Sequence, residues 1–171
     1  MTSATAVKMP TGEQQALTDA ELRAWRGLLR AHACLAKRLD TALDGAHGLP
    51  MTSYEVLHHL EGARSERMRM RDLAEQAQLS RSGLTRLVDR LEREGLLERC
   101  SCVQDARGSY ACLTELGRER LAEARGTHLA VVRVHFLSRF SEEELDMLAE
   151  TWERIAPCNG HAGDPRDAPA T

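Results

Sequence analysis

Leu22, Trp25, Leu29, His32, Ala36, Leu39 and Leu43 follow one another at alternating steps of three and four residues. That spacing lays one apolar stripe along a helix and predicts helix-on-helix packing, with His32 as its single polar member. Thr18-Asp-Ala-Glu21 is a capping box that opens this helix, and Asp44-Gly-Ala-His-Gly-Leu-Pro50 closes it. A shorter helix follows, capped by Thr52 or Ser53 and carrying Val56, Leu57 and Leu60 to about Glu61-Gly62. Arg67-Met68-Arg69 reads as a short extended segment. Asp72 to Ala77 reads as a short helix with Leu73, Ala74 and Ala77 inward. After a turn at Gln78-Leu79, Ser80 caps a helix running to about Glu94. Its Leu84, Leu87, Val88 and Leu91 share one side, and Gly95 stands where a helix-ending glycine belongs.

The pattern then changes. Two short runs, Leu97 to Val103 and Ser109 to Leu113, flank Gln104-Asp-Ala-Arg-Gly108, whose turn chemistry predicts a β-hairpin. Thr114 caps a long helix to about Phe140. Ser141-Glu-Glu-Glu144 is a second capping box, opening a last helix with Leu145, Leu148, Trp152 and Ile155 on one face before Pro157 stops it. The organisation predicted is an arm over 1–16, a dimerisation helix over 17–48, a compact lobe over 49–115, a long helix plus a terminal helix over 116–157, and a disordered tail over 158–171. The stripes at the two ends of the chain exceed what one small lobe can cover, so packing against each other and a second subunit is the economical solution.

Composition sharpens the class. The chain has 171 residues, 42% of them hydrophobic and only 4% aromatic, a mainly α profile. Net charge is −3, against the basic character of many nucleic-acid-binding domains. Its distribution is uneven: Arg64 to Arg120 holds twelve arginines against ten acidic residues, leaving the rest acidic. No apolar run is long enough to span a membrane and Met1 to Pro10 has no signal core, so a cytoplasmic chain is expected. Five cysteines without an export signal predict reduced thiols rather than a disulfide framework. Phosphate-binding glycine loops, nucleophile elbows and metalloprotease helices are absent, which argues against an enzyme. Nothing calls for a cofactor.

Helix, tight turn, helix and hairpin in the middle of the chain predict a winged helix-turn-helix. The outer face of the second helix carries Arg81, Ser82, Thr85, Arg86 and, a turn on, Arg90. Guanidinium forks can read guanine edges, and hydroxyls and helix-end amides can hold phosphates, so this face suits a major groove. Gly83 allows close approach of the DNA. Arg107 on the hairpin turn suits a narrow minor groove, with Asp105 placed to hold it by a charge-assisted bond. A winged-helix module that binds protein instead would more often show apolar or aromatic residues here.

Leu79-Ser-Arg-Ser-Gly-Leu-Thr-Arg-Leu-Val-Asp-Arg-Leu-Glu-Arg-Glu-Gly-Leu-Leu-Glu-Arg99 resembles the recognition helix and first wing strand of MarR regulators. Asp105-Ala-Arg-Gly108 resembles their Asp-x-Arg wing signature, and Leu113-Thr-Glu-Leu-Gly117 the start of their fifth helix. The resemblance implies a homodimer with interlocked terminal helices and two winged lobes on a pseudo-palindromic operator. It also implies a repressor released by a small aromatic or phenolic ligand bound between the dimer helices and the DNA-binding lobe.

Trp25, His32, Tyr54, His58 and His59 are the candidates for that effector site; the competing reading makes Trp25 interface core and His32 a satisfied interface histidine. Thiol-based redox regulation is the alternative, with Cys34, Cys100 and Cys112 as candidates. Pairing Val103 with Ser109 sets Cys100 opposite Cys112 at a separation slightly long for a disulfide. Small, partly buried structural thiols are the other reading of all three. His58-His59 and Cys100-x-Cys102 lack the second half of a zinc spacing, so no metal site is expected.

Overall fold

The computed structural model describes residues 16–102 and 105–155, and the side chains of these except over 101–108. The chain divides into two compact units, residues 1–33 and 34–171.

In the first unit the capping box forms as expected at the start of helix α1 (Asp19–His47). Thr18 N donates to Glu21 Oε2 at 2.7 Å, and Glu21 N donates to Thr18 Oγ1 at 3.3 Å. The backbone bond from Thr18, then its hydroxyl, holds the Glu21 carboxyl below its ordinary pKa. The apolar stripe of this unit is open: Trp25 is 53% exposed and Leu29 50%.

The second unit contains α2 (Met51–Gly62), β1 (Arg67–Arg69), α3 (Met70–Gln76), α4 (Arg81–Arg93), β2 (Leu97–Cys102), β3 (Asp105–Leu113), α5 (Glu115–His135) and α6 (Glu142–Ile155). The strands form one antiparallel sheet in the order β1-β3-β2. This is a mainly α winged helix-turn-helix. Leu57 and Leu60 of α2, Leu73 of α3, Leu84, Val88 and Leu91 of α4, Leu97 and Ala111 of the sheet and Leu121 of α5 are fully or almost fully buried in one core. A buried leucine contributes about 1.5–3 kcal/mol, so this cluster outweighs any single polar contact in the lobe.

Several boundaries differ from expectation. α2 begins at Met51, before Thr52 and Ser53, and neither caps it. Asp40 Oδ1 accepts from Met51 N at 2.9 Å, which frees Ser53 to turn inward, where it is fully buried. α3 begins at Met70, before Asp72, directly after β1. The long helix ends at His135, short of Phe140; a 3₁₀ turn over Leu137–Arg139 follows, and Phe136 and Phe140 meet edge to face at 5.2 Å. Other caps are as read: Ser80 Oγ accepts from Gly83 N at 3.1 Å, Thr114 Oγ1 from Gly117 N at 3.0 Å and Ser141 Oγ from Glu144 N at 3.3 Å. Gly95 ends α4 at φ +74°, a backbone region costly for a residue with a Cβ.

The hairpin needs a larger correction. β3 begins at Asp105, so the backbone of Asp105 to Gly108 is strand and not turn. Cys100 pairs with Tyr110 and Cys112 with Glu98, a shift of two residues from the expected register. An irregularity between Cys100 and Cys102 lets Cys102 pair with Asp105 and lengthens the hairpin beyond the expected turn. In this register Cys100 and Cys112 are diagonal neighbours on one face. Their Cα atoms lie 6.2 Å apart and the pair is joined by a disulfide, so the expectation of reduced thiols does not hold for these two.

Candidate nucleic-acid interface

α4 is amphipathic. Leu84, Val88 and Leu91 face the core, while Arg81, Ser82, Thr85 and Arg86 are exposed on the other side and Gly83 is half-buried. Close packing on α3 follows from the turn between them. Leu79 N donates to Ala74 O at 2.9 Å, Gln78 takes φ 53°, and the small Ala74 is buried at the crossing. The Ser80 cap leaves other first-turn amides of α4 at the same end as the two arginines, an arrangement that attracts phosphate. Thr85 Oγ1 donates to Arg81 O at 2.8 Å, which orients the hydroxyl on the helix surface with acceptor capacity left.

Arg90 is placed differently. Its Nη2 donates to Ser53 Oγ at 2.5 Å and its Nε lies 3.8 Å from Glu94. The guanidinium thus ties α4 back to α2, one turn below the exposed face. The side chains of Asp105 and Arg107, and the bond expected between them, lie outside the described residues.

The hairpin is held to α4 by a cluster the sequence reading missed. Arg99 on β2 donates to Asp89 Oδ1 at 2.5 Å and also to Glu92, both on α4. The bond to Asp89 raises the guanidinium pKa above its ordinary value. Acidic residues three apart on α4 and an arginine seven residues on were the available signal, but a helix and a strand must meet before they converge. Arg118 of α5 similarly donates to Glu66 and Glu115, and Arg125 of α5 to Glu61 of α2. These pairs fix the lobe from behind.

The effector candidates divide. Tyr54 is buried on α2, its ring stacked 4.8 Å from His128 of α5 and 6.0 Å from His58. His58 Nδ1 is buried without a hydrogen-bond partner among the described residues, with Glu61 Oε2 3.9 Å away. His59 lies beside it, ring centroids 6.4 Å apart. His128 was not singled out from sequence, because only the α2–α5 packing brings it to Tyr54. Trp25 and His32 are exposed in the first unit. Cys34 is exposed and free. Among the described residues no three or more His, Cys, Asp or Glu side chains gather as a metal site, and no helix is long and apolar enough to cross a membrane.

Comparison with known proteins agrees with this architecture. A sequence model of the MarR family matches residues 47–108, the segment from the end of α1 into the hairpin. AbsC, a MarR family transcriptional regulator from Streptomyces coelicolor, is 37% identical with a TM-score of 0.78, over 84% of this chain and 96% of that one. Sco3205, a MarR family regulator from the same organism solved in complex with DNA, is 33% identical with a TM-score of 0.79, over 89% of this chain and 96% of that one. The HTH-type transcriptional regulator MhqR of Bacillus subtilis is 27% identical over 139 residues, 81% of this chain and 93% of that protein. With these likenesses running through the exposed α4 and its braced hairpin, the chain belongs to the MarR family of transcriptional regulators.

Proposed function

We propose that the chain acts as a homodimeric repressor, gripping a pseudo-palindromic duplex with α4 of each copy in a major groove and the hairpin against the flanking minor groove. The observation that carries this is the α4 face: Arg81, Ser82, Thr85 and Arg86 stand exposed at a capped helix N-terminus, directly behind a buried Leu84, Val88 and Leu91. Arg86 and Arg81 are assigned base-edge and phosphate contacts, Ser82 and Thr85 phosphate or base contacts, and Gly83 the close approach. Arg107 is assigned the minor groove with Asp105 as its holder. Arg90 positions α4 through Ser53 rather than reading bases. That Sco3205 was solved with DNA supports the reading.

Release is assigned to a small aromatic or phenolic acid at the Tyr54–His58–His128 stack. His58 Nδ1, which has no hydrogen-bond partner among the described residues and lies 3.9 Å from Glu61 Oε2, offers the polar contact there and the rings a stacking surface.

The test is a titration of duplexes selected from a random-sequence pool, with hydroxybenzoates as effector probes. Arg86→Ala and Arg107→Ala should each cost about 1–3 kcal/mol, with Arg86→Ala also relaxing sequence preference. His58→Ala should leave DNA affinity intact and blunt release by hydroxybenzoate. Wild-type affinity in both arginine variants would remove the DNA assignment, and undiminished release in the histidine variant would remove the effector site.

A further inference from the structure

We propose that Cys100 and Cys112 form a reversible thiol–disulfide modification site that sets the order of the wing. The two sulfurs are bonded across neighbouring strands, and both residues are half-buried rather than sealed in the core. The sheet register puts Arg67, Arg69, Glu98, Cys100, Tyr110 and Cys112 on one face, opposite the face where Ala111 is buried. The bond therefore lies on the outward face, away from the packing that holds the lobe together.

The bond's position along the hairpin gives it leverage. On the core side of it, Leu97 pairs with Leu113, both buried, and Arg99 is tied to α4. On the tip side the register breaks between Cys100 and Cys102. The link spans twelve residues in sequence and closes a ring around the whole tip, Asp105 and Arg107 included. Opening the ring releases chain conformations that the closed ring excludes, so reduced wings must be ordered at the moment of binding.

The exchange partner is a low-molecular-weight thiol. Its thiolate attacks Cys100 Sγ; the S–S bond breaks and its electron pair leaves on Cys112 Sγ. A second small thiol displaces the mixed disulfide, freeing Cys100 and forming the small disulfide. Both cysteine sulfurs take up the protons that the two thiols give up. Two electrons pass to the cysteine pair, and exchange with the small disulfide in reverse closes the ring again. Arg67 pairs with Cys112 from β1 and Glu98 pairs with it from β2. The guanidinium favours charge on the departing sulfur and the carboxylate opposes it.

The experiment uses the full chain equilibrated in glutathione–glutathione disulfide mixtures. Peptide mapping should find a Cys100–Cys112 cross-link that opens and closes reversibly, and amides between them should exchange faster in the reduced form. Arg67→Ala should slow reduction and Glu98→Gln speed it. Duplex affinity, a readout that rests on the DNA-binding reading, should fall roughly three- to tenfold on reduction. Cys100→Ser and Cys112→Ser should match the reduced protein and lose the dependence, while Cys34→Ser keeps it. Failure to map the link, or a link that closes without changing exchange or affinity, overturns the switch. If neither form binds any selected duplex, the DNA reading fails instead, and mapping with amide exchange still decides the switch.

Discussion

Arg90 reaches from α4 to Ser53 on α2, its Nη2 donating to the buried Oγ at 2.5 Å. An arginine on the helix that carries the exposed face is thus spent on holding that helix. Ser53→Ala leaves a guanidinium N–H without its acceptor and should cost about 1–3 kcal/mol in urea unfolding. Ser53→Ala with Arg90→Leu should cost less than the two single changes added together. Strict additivity would show that the bond contributes nothing.

Arg99 joins Asp89 and Glu92 of α4 to β2 while a third of its side chain remains exposed. Because each exposed pair is weak, Arg99→Leu should lower stability by only about 1 kcal/mol. Its larger effect should be on hairpin order, seen as faster amide exchange over 97–102. Unchanged exchange there would mean that the Arg99 cluster does not order the hairpin.

Two glycines of α5 should behave oppositely. A Cβ at Gly117 would stand 1.9 Å from Leu96 O and 2.9 Å from Leu113 Cδ1, so Gly117→Ala must push backbone apart and should cost about 3 kcal/mol or more. A Cβ at Gly126 meets nothing within 4 Å, and Gly126→Ala should stabilise by about 0.5–1 kcal/mol. Thermal unfolding of both variants is sufficient; a shift in the same direction would contradict the packing.

Trp152 is 39% exposed and Ile155 65% on α6, large apolar surface for a chain on its own. If these cover a second copy, Ile155→Asp should shift sedimentation toward the monomer and lower duplex affinity in proportion to the dimer lost. A variant that sediments as wild type would take this face out of the interface.

Local physics determined much of this protein before any folding. The steps of three and four from Leu22 to Leu43, the Ser80, Thr114 and Ser141 caps and the exposed arginines after Leu79 all depend on neighbours within one turn, so they were legible in the sequence. Other features needed distant segments to meet. Ser53 reads as a cap until α4 brings Arg90 to it, and His128 is an ordinary helix residue until α5 lies on Tyr54. The hairpin was visible from its composition, but its register was not: a two-residue slip preserves the alternation of faces, so the pattern alone cannot choose. The buried pair Leu97–Leu113 and the irregularity after Cys100 made that choice, and with it set Cys100 and Cys112 on the diagonal where they bond.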